Sequence, residues 1–193
     1  MPRSSEATRQ RILDAAYVQF HRRGFARVGV DEIARAARVT KRTLYNHFTS
    51  KDRLIAVMLE NQHHLALATF RSWTGKLAGS PAQIVEVMFS ELAKWSAKPR
   101  WSGSGYTRLA MELADLPGHP ARAVARRHKA MIETHLAGVF ADAGVPTAKA
   151  KARQIYLLLE GATCLMLIHG DSGYAVSAAQ AAKALLAPSP PAA

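Results

Sequence analysis

Apolar residues recur at three- and four-residue steps along nearly the whole chain. Ile12, Leu13, Ala16 and Phe20 share one stripe, which predicts a first helix closed by Gly24 after Arg23. Ile33, Ala34 and Ala37 form the inner face of a short second helix that begins near Val30. Leu44 and Phe48 do the same for a third, and Thr40 is placed to cap it. Ser50 caps a fourth, Asp52 in its first turn suits the helix dipole, and Leu54, Met58 and Leu65 carry the pattern on to Trp73. On this long helix His63 and His64 are expected on the exposed side. Gly75 and the run Gly79-Ser80-Pro81 then break the pattern.

Beyond the break the period resumes. Pro81 suits the first turn of a helix carrying Ile84, Val87, Met88, Leu92 and Trp95, and KPRWSGSG reads as a loop. A shorter helix is expected over Tyr106 to Ala114, followed by the turn DLPGHP with His119 at the N-cap and Pro120 at the first helical position. The next helix runs to Ala143, where Gly144, Val145 and Pro146 stop it, and Thr147 is expected to cap its successor. That successor holds the most apolar stretch, Ile155 to Gly170, and a final alanine-rich helix is expected over Ser177 to Leu186. Nowhere does the sequence alternate with a period of two, and no hairpin signal or internal repeat is present. The expected fold is therefore all-α. It divides into a small three-helix domain at residues 1–53, a larger helical domain at 54–187 and a disordered tail at 188–193.

Charge changes the picture. The chain has 193 residues with 26 Lys+Arg against 14 Asp+Glu, a net charge of +12 and a pI near 10.3. Twelve of those cations and only five of the acids lie in residues 1–53. Such density points to a polyanionic partner. A hydrophobic fraction of 49% is ample for a buried core. The single cysteine, Cys164, leaves no intramolecular disulfide or cysteine-rich zinc site and suits a reducing, cytoplasmic setting. The opening MPRSSEATRQRILDAA has no apolar signal-peptide core, and the run Ile155–Gly170 is broken by Glu160 and too short to span a bilayer.

Within this basic quarter lies TKRTLYNHFTSKD, residues 40–52. Two short helices joined by a tight turn at Val39, the second polar on its outer face, describe a helix-turn-helix. Leu44 and Phe48 anchor the second helix on Ile33, Ala37 and Phe20, leaving Thr40, Lys41, Arg42, Thr43, Tyr45, Asn46 and His47 partly outward. A helix of this width enters the DNA major groove, where Arg42 suits guanine O6 and N7, Thr43 a thymine methyl and Tyr45 the sugar-phosphate backbone. Lys51, at the start of the fourth helix, adds an ammonium to exposed backbone N–H groups that suit a phosphate.

The segments ILDAA…F…RGF, DEIARAA, VTKRTLYNHF and SKDRL, in this order and spacing, resemble the N-terminal domain of the TetR/AcrR family of bacterial transcriptional regulators. The resemblance covers about a quarter of the chain. It implies a homodimer in which one helix-turn-helix per subunit reads half of a double-stranded DNA operator. It implies further that a divergent C-terminal domain binds a small effector, and that the last two long helices, here Ile155–Gly170 and Ser177–Leu186, pair across the dimer. Two positions depart from the family pattern. Arg38 stands where the turn commonly has glycine, and adds a cation near the DNA; Gly29 stands where a Ser or Thr cap is common.

Independently of the resemblance, IYLLLEGATCLMLI is apolar on all sides, which implies burial on more than one face. Candidate effector contacts are Trp95, Trp101, Tyr106, Met111, His119, His128, Met131, His135, Glu160, Cys164 and His169. They suit an apolar or aromatic molecule with a few polar anchors, although aromatics and methionines at helical spacing also make plain core. No catalytic motif or close metal-ligand spacing is present, so neither an enzyme nor a metal or cofactor is expected. A membrane-surface role is disfavoured because the basic residues sit in a compact motif with its own apolar core. The expected function is a ligand-responsive, homodimeric repressor, with an activator or a ligand-independent regulator as the alternative.

Overall fold

A computed structural model describes residues 2–74 and 80–187. Among them lie nine helices and no strand: α1 (Pro2–Arg23), α2 (Val30–Ala36), α3 (Lys41–His47), α4 (Lys51–Thr74), α5 (Pro81–Ser96), α6 (Gly105–Glu112), α7 (Pro120–Asp142), α8 (Ala148–His169) and α9 (Gly173–Leu186). The expected break at Gly75–Gly79 and the tail at 188–193 lie outside the described residues. The chain forms two compact units: Met1–Leu65 with Ser104–His128, and Ala66–Gly103 with Lys129–Ala193. Both α4 and α7 contribute residues to each unit.

In the first unit α1, α2 and α3 pack on one another. Ile12, Ala16, Phe20, Phe25, Val28, Ile33, Leu44 and Phe48 are all buried. The beginning of α4 adds Leu54, Ile55 and Met58, and α6 adds Tyr106 and Leu109. His63 departs from expectation. Only 4% of it is exposed, because its Nδ1 lies 2.9 Å from Nδ1 of His128 on α7, one ring donating to the other. His64 next to it is exposed. The Tyr106 ring stacks on His128 at 3.8 Å and its hydroxyl donates to the Leu59 carbonyl.

In the second unit α5, α8 and α9 enclose a core of Val85, Met88, Phe89, Leu92, Ile155, Leu159, Ala162, Ala178 and Ala182, with Leu136 and Phe140 from α7. Ser80 and Gln83 form a reciprocal capping box ahead of Pro81 at the start of α5. Pro120 opens α7 behind His119, whose Nδ1 accepts from the Ala121 N–H. Thr147 does not cap α8 with its side chain as expected. It adopts the left-handed conformation (φ 54°) after Pro146, and only its carbonyl serves the helix, accepting from Ala150 and Lys151. α9 begins earlier than Ser177 because the Asp171 carboxylate accepts from the Gly173 N–H and starts the turn there. α6 ends at Glu112, two residues short of expectation, after a start at Gly105 under a Ser104 cap.

Candidate nucleic-acid interface

The helix-turn-helix is closed by backbone geometry at the end of α2. The Val39 N–H donates to Ala34 O at 3.0 Å and the Arg38 N–H to Arg35 O at 3.1 Å. This is the double bond of a Schellman motif, whose C′ residue takes the left-handed conformation. That residue is Arg38, at φ 55°. Gly29 precedes α2 without a side-chain cap. Asp31 and Glu32 in the first turn of α2 face cations instead, Lys41 at 3.1 Å and Arg23 at 2.6 Å.

Thr40 caps α3 by accepting from the Thr43 N–H at 3.0 Å, and the two threonine hydroxyls lie 2.8 Å apart. Leu44 and Phe48 are buried one turn apart and fix which face of α3 is left open. Arg38, Thr40, Lys41, Arg42, Tyr45 and Asn46 are exposed, whereas Thr43 and His47 are half-buried. The structure thus brings the expected contact residues onto one exposed surface at the turn and along α3. Lys51 is held at its edge. Its ammonium donates to Ala26 O at 3.3 Å and lies over the Phe20 ring; burial lowers its pKa, against the pull of Asp52 and Glu112. One residue outside the expected set joins this group: the Arg9 guanidinium sits 5.4 Å above the Phe48 ring. Its place on the polar side of the α1 stripe gave no sign of this contact.

Residues 12–58 match the family model for bacterial regulatory proteins, tetR family. The HTH-type transcriptional regulator TtgR of Pseudomonas putida is 33% identical over 92 residues, covering 46% of this chain and 44% of its own. The regulator UidR of Escherichia coli is 31% identical over 105 residues, 46% of this chain and 54% of its own. Over this N-terminal segment the chain is similar to the tetR family of bacterial regulatory proteins. It spans about half the length of the curated relatives it matches. A tetR-family regulator structure from Streptomyces avermitilis superposes with a TM-score of 0.78 at 27% identity, over 91% of this chain and 97% of that one. The reduced form of E. coli NemR shares the fold at a TM-score of 0.84 and 19% identity, over 94% and 97%.

The candidate effector contacts fall into separate groups. In the first unit Tyr106 and His128 are stacked and buried, and burial, followed by Glu60 and Tyr17, raises the Tyr106 pKa. His119 is buried with Nε2 3.2 Å from Asp52, while Met111 is 64% exposed. In the second unit Trp101 meets Trp95 edge-on at 5.5 Å, and its buried Nε1 has no partner among the described residues. His135 pairs with the Thr74 hydroxyl at 2.8 Å and meets Phe70 edge-on; burial, then Arg71, lowers its pKa. Glu160 accepts from Lys129 at 2.6 Å beside Tyr156, and burial lowers the Lys129 pKa against that pairing. Cys164 is half-buried, Met131 is exposed, and His169 is exposed and stacked on Tyr174. Among the described residues no three His, Cys, Asp or Glu side chains gather as a metal site, and no helix is long and apolar enough to cross a membrane.

Proposed function

We propose that this chain is a cytoplasmic, homodimeric, DNA-binding regulator of transcription, and in the first instance a ligand-responsive repressor rather than an enzyme. The observation that carries the reading is the open face of α3. Arg42, Tyr45 and Asn46 are exposed on a helix whose other side is locked by Leu44 and Phe48, within the cation-rich residues 1–53. Arg42 reads a base edge, Thr43 and Tyr45 contact the thymine methyl and backbone, and Arg38, Thr40, Lys41, Asn46, His47 and Lys51 position the head on phosphates or bases. Tight, sequence-dependent binding to DNA from upstream of its own gene, surviving moderate salt, is the expected result of a fluorescence-anisotropy titration. Equal binding to scrambled DNA that vanishes with salt would reduce the chain to a basic protein meeting a polyanion.

Dimerisation through α8 and α9 is supported by apolar side chains left in the open. Leu157 is 69% and Ile168 66% exposed, and Leu165, Leu167 and Val176 are exposed beside them. A β-carbon on Gly161 would meet nothing within 4 Å, so a second backbone has room to approach there. Two heads in such a dimer must stand about one DNA turn apart, ~34–36 Å, or a multiple of it. An apolar or aromatic effector held in the larger unit, for which Trp95, Trp101 and His135 are the strongest contacts, acts by altering that spacing. If crosslinking the heads at the DNA-bound spacing left effector release intact, this mechanism would be wrong.

A further inference from the structure

The connection from α1 to α2 is gripped from outside the segment that matches the family model. A single oxygen of Glu112 at the end of α6, Oε2, accepts from the Phe25 N–H at 2.6 Å and the Ala26 N–H at 3.0 Å. The carbonyl of Ala26 accepts from Lys51 on α4, so this residue is held by opposite charges at both of its backbone polar groups. One turn earlier on α6, Arg108 donates to the His21 carbonyl in the last turn of α1 at 3.2 Å. The carboxylate lies so close that a β-carbon on Gly24 would stand 3.0 Å from both of its oxygens. Gly24 itself is at φ 88° and ends α1. Phe25 stacks on Phe20 and is buried together with Val28, so the path of residues 24–29 sets where α2, and with it α3, lies against α1.

We infer that Glu112 is a positioning residue for DNA reading: it fixes the α1–α2 connection through two backbone hydrogen bonds and so holds α3 in register. The inference rests on the DNA-binding reading above. It carries a sign that separates it from simple electrostatics. Removing a negative charge from a DNA-binding head tightens its hold on a polyanion, whereas removing a positioning contact weakens it.

Two variants divide the possibilities. In Glu112→Gln the amide oxygen can still accept from both N–H groups while the charge is gone; in Glu112→Ala both are lost. Both are titrated against upstream and scrambled DNA, and amide exchange of Phe25 and Ala26 is followed by NMR in the free proteins. The expected result is that Glu112→Ala binds upstream DNA about ten-fold more weakly, discriminates less and exchanges both amides faster, with Glu112→Gln at least as tight as the parent and equal to it in discrimination and amide exchange. Equal tightening by both variants, or an Ala variant with unchanged discrimination, overturns the inference. If the parent itself shows no sequence-dependent binding, the DNA-binding reading fails instead. The exchange rates then still decide whether Glu112 holds this connection: unchanged rates in the Ala variant refute it.

Discussion

Replacing Arg38 by glycine pulls stability and DNA affinity in opposite directions. Arg38 is the C′ residue of the α2 Schellman motif at φ 55°, a conformation that costs an L-residue ~1–2 kcal/mol and glycine nothing. Glycine loses more freedom on folding, which takes back ~0.5–1 kcal/mol. The net expectation for Arg38→Gly is a gain of ~0.5–1 kcal/mol. With a urea slope of ~2 kcal/mol/M, the unfolding midpoint rises by ~0.3–0.5 M. The same substitution removes an exposed cation beside α3, so the salt dependence of DNA binding becomes shallower by about one phosphate contact. Arg38→Ala separates the two effects, because alanine keeps the left-handed strain and loses the charge. Its stability should stay near that of the parent and its DNA binding should fall with that of the glycine variant. Chemical denaturation at one fixed protein concentration, which matters for a dimer, and anisotropy at several salt concentrations make the test. If the glycine variant were less stable than the parent, or no more stable than the alanine variant, the argument from backbone strain would be refuted.

Other expectations follow from single features. Arg42→Ala should cost ~1–3 kcal/mol of operator binding and relax preference at one base pair in a substituted-site series; equal weakening on every sequence would make Arg42 a phosphate contact. Thr147→Asn, at φ 54° where a β-branched residue is strained and asparagine is tolerated, should raise stability by ~0.5–1 kcal/mol in urea. Combining Leu157→Glu with Ile168→Glu should turn a dimer into a monomer by sedimentation velocity while helicity is kept, and an unchanged dimer would move the interface away from α8. The lowered pKa of His135 means that the unfolded imidazole takes up a proton near its ordinary value of 6.5 while the folded one resists until lower pH. Stability is therefore level above that value and falls as the pH drops below it, and His135→Gln should lose less between pH 7.5 and 5.5 in urea midpoints.

The sequence was most informative where a local pattern determines a local structure. Thr40 ahead of Leu44 and Phe48 is enough to set the start, the buried face and the open face of α3, because capping and periodicity act within one or two turns. Ser80-Pro81 and His119-Pro120 marked helix starts for the same reason. Long-range pairings left no such trace. His63 reads as a surface histidine on α4 until a partner 65 positions away is known, and nothing in the helical pattern around Glu112 marks it as the residue that meets the α1–α2 connection. Thr147 misled in another way: a threonine before a helix has the composition of a cap, but its left-handed backbone carries the side chain away from that role. The apolar character of α8 was plain, yet periodicity alone does not say which side its own fold covers; the core takes Ile155, Leu159 and Met166 and leaves Leu157 and Ile168 open.

The cation excess of residues 1–53 also overstates what is free to meet DNA. Lys41 already faces Asp31 and Arg23 faces Glu32, both as exposed pairs. Such pairs are worth only ~0–1 kcal/mol, so a phosphate can displace either carboxylate at small cost. Lys51 differs, because its ammonium donates to the Ala26 carbonyl beside the Glu112 carboxylate that holds the same residue. Drawing it onto a phosphate would loosen one side of the connection that aligns α3. On the proposed function the two lysines therefore have different parts: Lys41 exchanges one carboxylate for a phosphate, whereas Lys51 contributes most while it stays bound to the protein and offers the DNA its remaining N–H donors.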